Sequence, residues 1–77
     1  MNYIDMRNSI MEITSKTALL ELINACVLDN LSKQILKLHY INKVPFKLIA
    51  DVLHISKSSA ERKHKKAICV LYRELNK

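Results

Sequence analysis

Lys57, Arg62, Lys63, Lys65 and Lys66 crowd a short stretch of chain in which Glu61 is the one acid, and Lys43 and Lys47 precede them. Ammonium and guanidinium groups at this density create a local positive field, and such a field attracts polyanions. Ser56, Ser58 and Ser59 lie among these bases, and short hydroxyls of that kind hydrogen-bond phosphate oxygens or base edges. The charge is concentrated rather than diffuse. Arg7, Lys16, Lys33 and Lys37 balance Asp5, Glu12, Glu21 and Asp29 over residues 1–42. Nearly all of the net charge of +6 therefore falls on residues 43–66.

Other chemistry has little to work with. Glu21, Asp29, Asp51 and Glu61 fall on separate helical segments, and no acid, base and nucleophile share a catalytic spacing. An enzyme is not expected. Cys26 and Cys69 have no His or Cys two to four residues away, so no zinc spacing exists and neither metal nor cofactor is expected. Reduced thiols are the default for a cytoplasmic chain, and no disulfide is implied. No apolar run reaches the roughly 18 residues of a membrane span. Met1–Asp5 carries no positive charge ahead of an apolar run, as a secretory signal would. The expectation is a cytoplasmic protein with no membrane partner.

The elements that position the basic run follow from composition and period. Glycine is absent and proline occurs once, which favours helices over strands. The reading is one all-α domain over 1–77 with four to five short helices. Tyr3, Ile4, Met6, Ile10, Met11 and Ile13 recur at helical spacing, giving an extra N-terminal helix within 1–14. Thr14, Ser15 and Thr17 offer N-caps for a second helix. Residues 17–28 are so apolar that this helix is expected at the centre of the core. Asp29 caps a third, about 30–40, burying Leu31, Ile35, Leu36 and Leu38. Asn42 suits a left-handed position after it, and Pro45 suits the first position of a fourth helix.

Phe46 to Lys66 holds the functional pattern. A short helix, about 45–53, ends at Leu53, a tight turn follows at His54-Ile55, and a long helix runs over 56–75 from an N-cap at Ser56. Ala50 is small where two helices must approach closely, and Ile49, Leu53, Ile55 and Ala60 supply the apolar contacts. This is the spacing of a helix-turn-helix. His54 stands where the backbone often has positive φ, a region it tolerates better than a β-branched residue does.

Over about Ala18 to Leu75 the chain resembles region 4 of the σ70-type RNA polymerase sigma factors, and more distantly the LuxR-type regulator domain. Ile35-Leu36-Lys37-Leu38-His39-Tyr40 is similar to the family's apolar-basic helix ending in an aromatic. Phe46-Lys47-Leu48-Ile49-Ala50-Asp51-Val52-Leu53 resembles its kEIAeiL helix, and Ile55-Ser56-Lys57-Ser58-Ser59-Ala60 its IS-x-x-TV start. Ala67 and Leu71 stand where the family has a later alanine and leucine. The chain departs from the pattern with Asp29 for a common proline, Ser58 for glycine, and the run Lys63-His64-Lys65-Lys66. The resemblance implies promoter DNA contact through the recognition helix and RNA polymerase contact through the helices before it. At this length the part of a sigma factor that melts the promoter is not expected, so the resemblance implies a free-standing regulator, and size and family habit point to a phage or other mobile element.

The helical projection agrees with the first implication. At 100° per residue, Ala60, His64, Ala67, Leu71 and Leu75 form one buried stripe. Ser58, Glu61, Arg62 and Lys65 point away from it, toward a major groove, as base readers. Arg62 suits guanine, and Glu61 suits cytosine N4 or the orientation of Arg62. Lys43, Lys47, Ser56, Lys57, Ser59, Lys63 and Lys66 flank them as phosphate contacts. His64 is expected in the core. Cys69 and Tyr72 continue the outward face, with Ile68 beside them, and ask for cover, either from the N-terminal helix or from a second copy in a homodimer. The expected function is a sequence-specific double-stranded DNA-binding transcriptional regulator. The alternative is a sigma-like module that binds RNA polymerase or a sigma factor without reading DNA.

Overall fold

The structure is a computed structural model that describes residues 2–77, so Met1, counted in the expected N-terminal helix, lies outside the described residues. The chain is all-α. Helix α1 spans Tyr3–Met11, α2 Lys16–Ala25, α3 Asn30–Leu36, α4 Phe46–Leu53 and α5 Lys57–Leu75, with no strand among the described residues. Four helices begin where a short polar side chain accepts an orphan backbone N–H. Asn2 accepts from Asp5 N–H at 2.9 Å, Ser15 from Ala18 at 3.2 Å, Asp29 from Ser32 at 3.1 Å and Ser56 from Ser59 at 3.1 Å.

The third helix ends close to where it is expected, but its last part is not α-helical. It continues as a π-helical turn over Lys37–Ile41. A π turn accommodates an extra residue, and the left-handed position moves on accordingly. Asn42 keeps φ −95°, while Lys43 takes φ 58°. Pro45 is likewise one position earlier than expected. It is the extended N-cap of α4, with ψ 155°, and its carbonyl accepts from Ile49 N–H at 3.0 Å.

Helix α4 ends in a Schellman arrangement. Ile55 N–H donates to Ala50 O at 3.0 Å and His54 N–H to Asp51 O at 3.4 Å, with His54 left-handed at φ 57°. Ile55 then packs with Ala50, Ile49, Ile35 and Ala60 in one apolar cluster. A larger cluster joins Ile10, Leu19, Ile23, Leu36, Tyr40, Ile68 and Leu71. Helix α5 contributes to both clusters and is the element around which the others pack.

That arrangement corrects the expectation for residues 17–28. Helix α2 buries Leu19 and Ile23 but leaves Ala18, Leu20 and Ala25 exposed. A chain this short has too few elements to cover a second face of α2. Leu31 and Leu38 are only half-buried, and Leu75 is 42% exposed at the end of the stripe expected to be buried.

Candidate nucleic-acid interface

The candidate interface is built on α5, whose start is fixed by Ser56 and whose inner face is fixed by the core. Ala60, His64, Ala67, Ile68 and Leu71 are buried along it. Opposite them, Ser58, Glu61, Arg62, Lys65 and Lys66 are exposed, together with Ser56 and Lys57. The turn His54–Ser56 carries the chain from α4 into this helix, so the two form a helix-turn-helix in the geometric sense.

Neighbouring elements divide the outward face into a centre and two flanks. Arg62 belongs to the centre and has no ion-pair partner among the described residues. On one flank, Ser59, Lys63 and Lys66 line a shallow groove shared with Leu28, Asp29 and Ser32, which Arg62 borders from the centre. Lys63 Nζ lies 3.3 Å from Asp29 Oδ2 there, tying α5 to the start of α3. The Ser32 hydroxyl and backbone N–H hold the Asp29 carboxyl below its usual range, with Lys63 adding to the effect. Lys63 is thus half-buried and paired, unlike Lys66.

On the other flank lies α1. Ile10 and Ile68 are fully buried in the same cluster, with Tyr3 and Met6 packed against it. Cover for the apolar part of α5 is thus intramolecular at Ile68, and Cys69 and Tyr72 are half-buried. Of the two covers expected for this part of α5, the N-terminal helix is the one that packs on Ile68. Lys65 Nζ is 5.5 Å from the centre of the Tyr3 ring, so Lys65 leans toward α1.

The remaining expected contacts are less united. Glu61 pairs with Lys57 at 3.8 Å rather than orienting Arg62. The Ser56 hydroxyl accepts from Ser59 N–H and donates to Ser59 Oγ at 2.9 Å, so the Ser56 hydrogen is committed to the cap while the Ser59 hydroxyl keeps its own hydrogen to donate. A cap of this form leaves the first N–H groups of the helix, at Lys57 and Ser58, free to meet an anion. Lys43 lines a separate groove with Ile10, Leu19 and Tyr40, and Lys47 is exposed on α4. No hydrogen bond or ion pair joins either to α5 among the described residues.

Beneath the interface, His64 is held in a cage. Its Nδ1 lies 2.8 Å from the Tyr3 hydroxyl and its Nε2 2.6 Å from the Tyr40 hydroxyl. A neutral imidazole has one donor and one acceptor, so one tyrosine accepts from the ring and the other donates to it. Tyr40 also stacks on His64 at 5.5 Å, and Phe46 meets it edge-on at 4.8 Å. Burial lowers the His64 pKa to about 4, with His39, Arg7 and Lys65 pushing the same way. Burial raises the Tyr40 hydroxyl well above its ordinary value. This cage joins α1, the π turn, α4 and α5 at one ring. The sequence placed His64 in the core but did not supply its partners, nor did it single out Tyr3 and Arg7. The spacing of those two, one helical turn apart, was the available signal. No family model matches the chain, and no curated protein or solved structure matches it either.

Proposed function

We propose that this chain is a sequence-specific double-stranded DNA-binding transcriptional regulator that lays the first half of α5 in the major groove. The observation that carries the reading is the outward ridge of α5. There an unpaired Arg62 and exposed Ser58 stand on a capped helix whose opposite face is locked in the core. A rigid helix with free polar tips suits base reading, and Lys57 and Lys66 beside it suit phosphates. The likeness of residues 18–75 to sigma region 4 supports the same reading and adds RNA polymerase as a partner in the cytoplasm.

Selection from a random duplex library is the test. Wild type enriches a defined site. Arg62→Ala then loses affinity by about 1–3 kcal/mol and relaxes preference at one base pair, whereas Lys66→Ala weakens all sequences alike. An equal loss for Arg62→Ala on the selected and a scrambled duplex removes Arg62 as a reader. Failure of wild type to enrich any site favours the second reading, a module that binds polymerase or a sigma factor. One observation stands behind that reading. Leu48 and Val52, one turn apart on α4, are 50% and 61% exposed, and adjacent exposed apolar residues suit a protein surface.

A further inference from the structure

Arg7 and Lys65 come from different helices and converge on one ring. The Arg7 guanidinium carbon is 6.0 Å from the centre of the Tyr3 ring, and Lys65 Nζ is 5.5 Å from it. Tyr3 is itself fixed, because its hydroxyl is bonded to the caged His64. Neither cation has an ion-pair partner among the described residues. Glu61, the acid that faces Tyr3 from α5, is engaged by Lys57 at 3.8 Å. Arg7 Nε is buried with no hydrogen-bond partner. A half-buried guanidinium is ordinarily paired, because desolvation without a counter-charge is unfavourable. Two cations gathered at one ring, with the nearby acid Glu61 paired to Lys57, favour an anion shared between them, and a planar guanidinium suits the oxygens of a phosphate.

We infer that Arg7 and Lys65 form a phosphate clasp at the seam of α1 and α5, and that the clasp holds the DNA backbone bordering the groove entered by α5. This rests on the DNA-binding reading above. It gives α1 a role in binding as well as in covering Ile68, and it makes Lys65 a backbone contact instead of a base reader. Lys65 is on the flank of α5 that faces α1, while Arg62 occupies the centre, so both contacts are made to one duplex. Contact with a phosphate positions the helix and carries no sequence information.

The experiment uses the full chain and the duplex selected by wild type, with single phosphates replaced in turn by neutral methylphosphonates. Wild type loses roughly five- to ten-fold in affinity at one phosphate bordering the core site, as expected for one lost phosphate contact. Arg7→Ala loses part of that factor on the native duplex, has a shallower salt slope, and is less sensitive than wild type to methylphosphonate at that position, because Lys65 remains; Arg7→Ala combined with Lys65→Ala is indifferent there. Arg7→Lys restores part of the affinity. Arg7→Gln, with unchanged helicity and melting temperature, repeats the Arg7→Ala result if the loss is electrostatic rather than structural. If Arg7→Gln binds as wild type does, or keeps wild-type sensitivity at that phosphate, the clasp is overturned while DNA binding by α5 stands. If wild type binds no duplex, the clasp and the DNA-binding reading fall together.

Discussion

His64 shows how a titratable residue on the long helix α5 can be structural. It is 2% exposed, and both its nitrogens are occupied by tyrosine hydroxyls. Its pKa of about 4 lies below the ordinary 6.5 because burial disfavours the imidazolium. The unfolded chain takes up a proton near pH 6.5 while the folded chain does not until about pH 4. The stability contributed by this group is therefore fully present above pH 6.5, falls as pH drops through that window, and changes no further below about pH 4. The slope approaches 1.4 kcal/mol per pH unit, and the whole effect is on the order of 3 kcal/mol. Urea unfolding of wild type and His64→Gln between pH 7.5 and 4 measures it. The stability gap between the two proteins narrows as pH falls, and a gap independent of pH would show that the cage does not exclude the proton.

At the scale of the element, the turn between α4 and α5 carries a local cost. His54 holds φ 57° without being glycine, and the left-handed region costs an L-residue about 1–2 kcal/mol. Glycine removes that cost but adds freedom to the unfolded chain. His54→Gly is therefore expected to stabilise by a net of about 0.5–1 kcal/mol and to raise the melting temperature by a few degrees. Ala50 acts in the opposite sense. It is 5% exposed and packed among Ile49, Ala60 and Ile55, so Ala50→Leu overpacks the junction and costs about 1–3 kcal/mol. Thermal melts of both variants check the pair. A neutral Ala50→Leu would mean that α4 and α5 do not meet as closely as the structure places them.

Across the whole molecule, the positive charge is partly spent internally. Lys57 and Lys63 are paired with Glu61 and Asp29, whereas Lys43, Lys47, Arg62, Lys65 and Lys66 have no acid partner among the described residues. Engagement of four or five cations with phosphates gives a log K against log salt slope of roughly −4 to −5. Fluorescence anisotropy on the selected duplex across a salt series reads this slope. Lys43 lies on a different groove from the α5 ridge, so Lys43→Ala discriminates between a narrow and a wide footprint. A slope unchanged by that substitution confines binding to α5 and its flanks, and a flat salt dependence in wild type would exclude nucleic acid from the basic face altogether.

The sequence alone determined what depends on neighbours three or four residues apart. Helix caps at Ser15, Asp29 and Ser56, the apolar stripe through Ala60, His64, Ala67 and Leu71, and the left-handed turn at His54 all arise from short-range hydrogen bonding and helical period. The outward placement of Ser58, Glu61, Arg62 and Lys65 followed from the same period. Tertiary structure decided which apolar faces meet. Helix α2 is as apolar as a central helix, yet α5 occupies the centre because its length lets it reach both clusters. The π turn over Lys37–Ile41 has no period that announces it, and it moved the left-handed residue from Asn42 to Lys43. The pairing of Lys63 with Asp29 and of Tyr3 with His64 joins residues far apart in the chain. Such contacts form only once folding has brought the helices together, so no local pattern in the sequence encodes them.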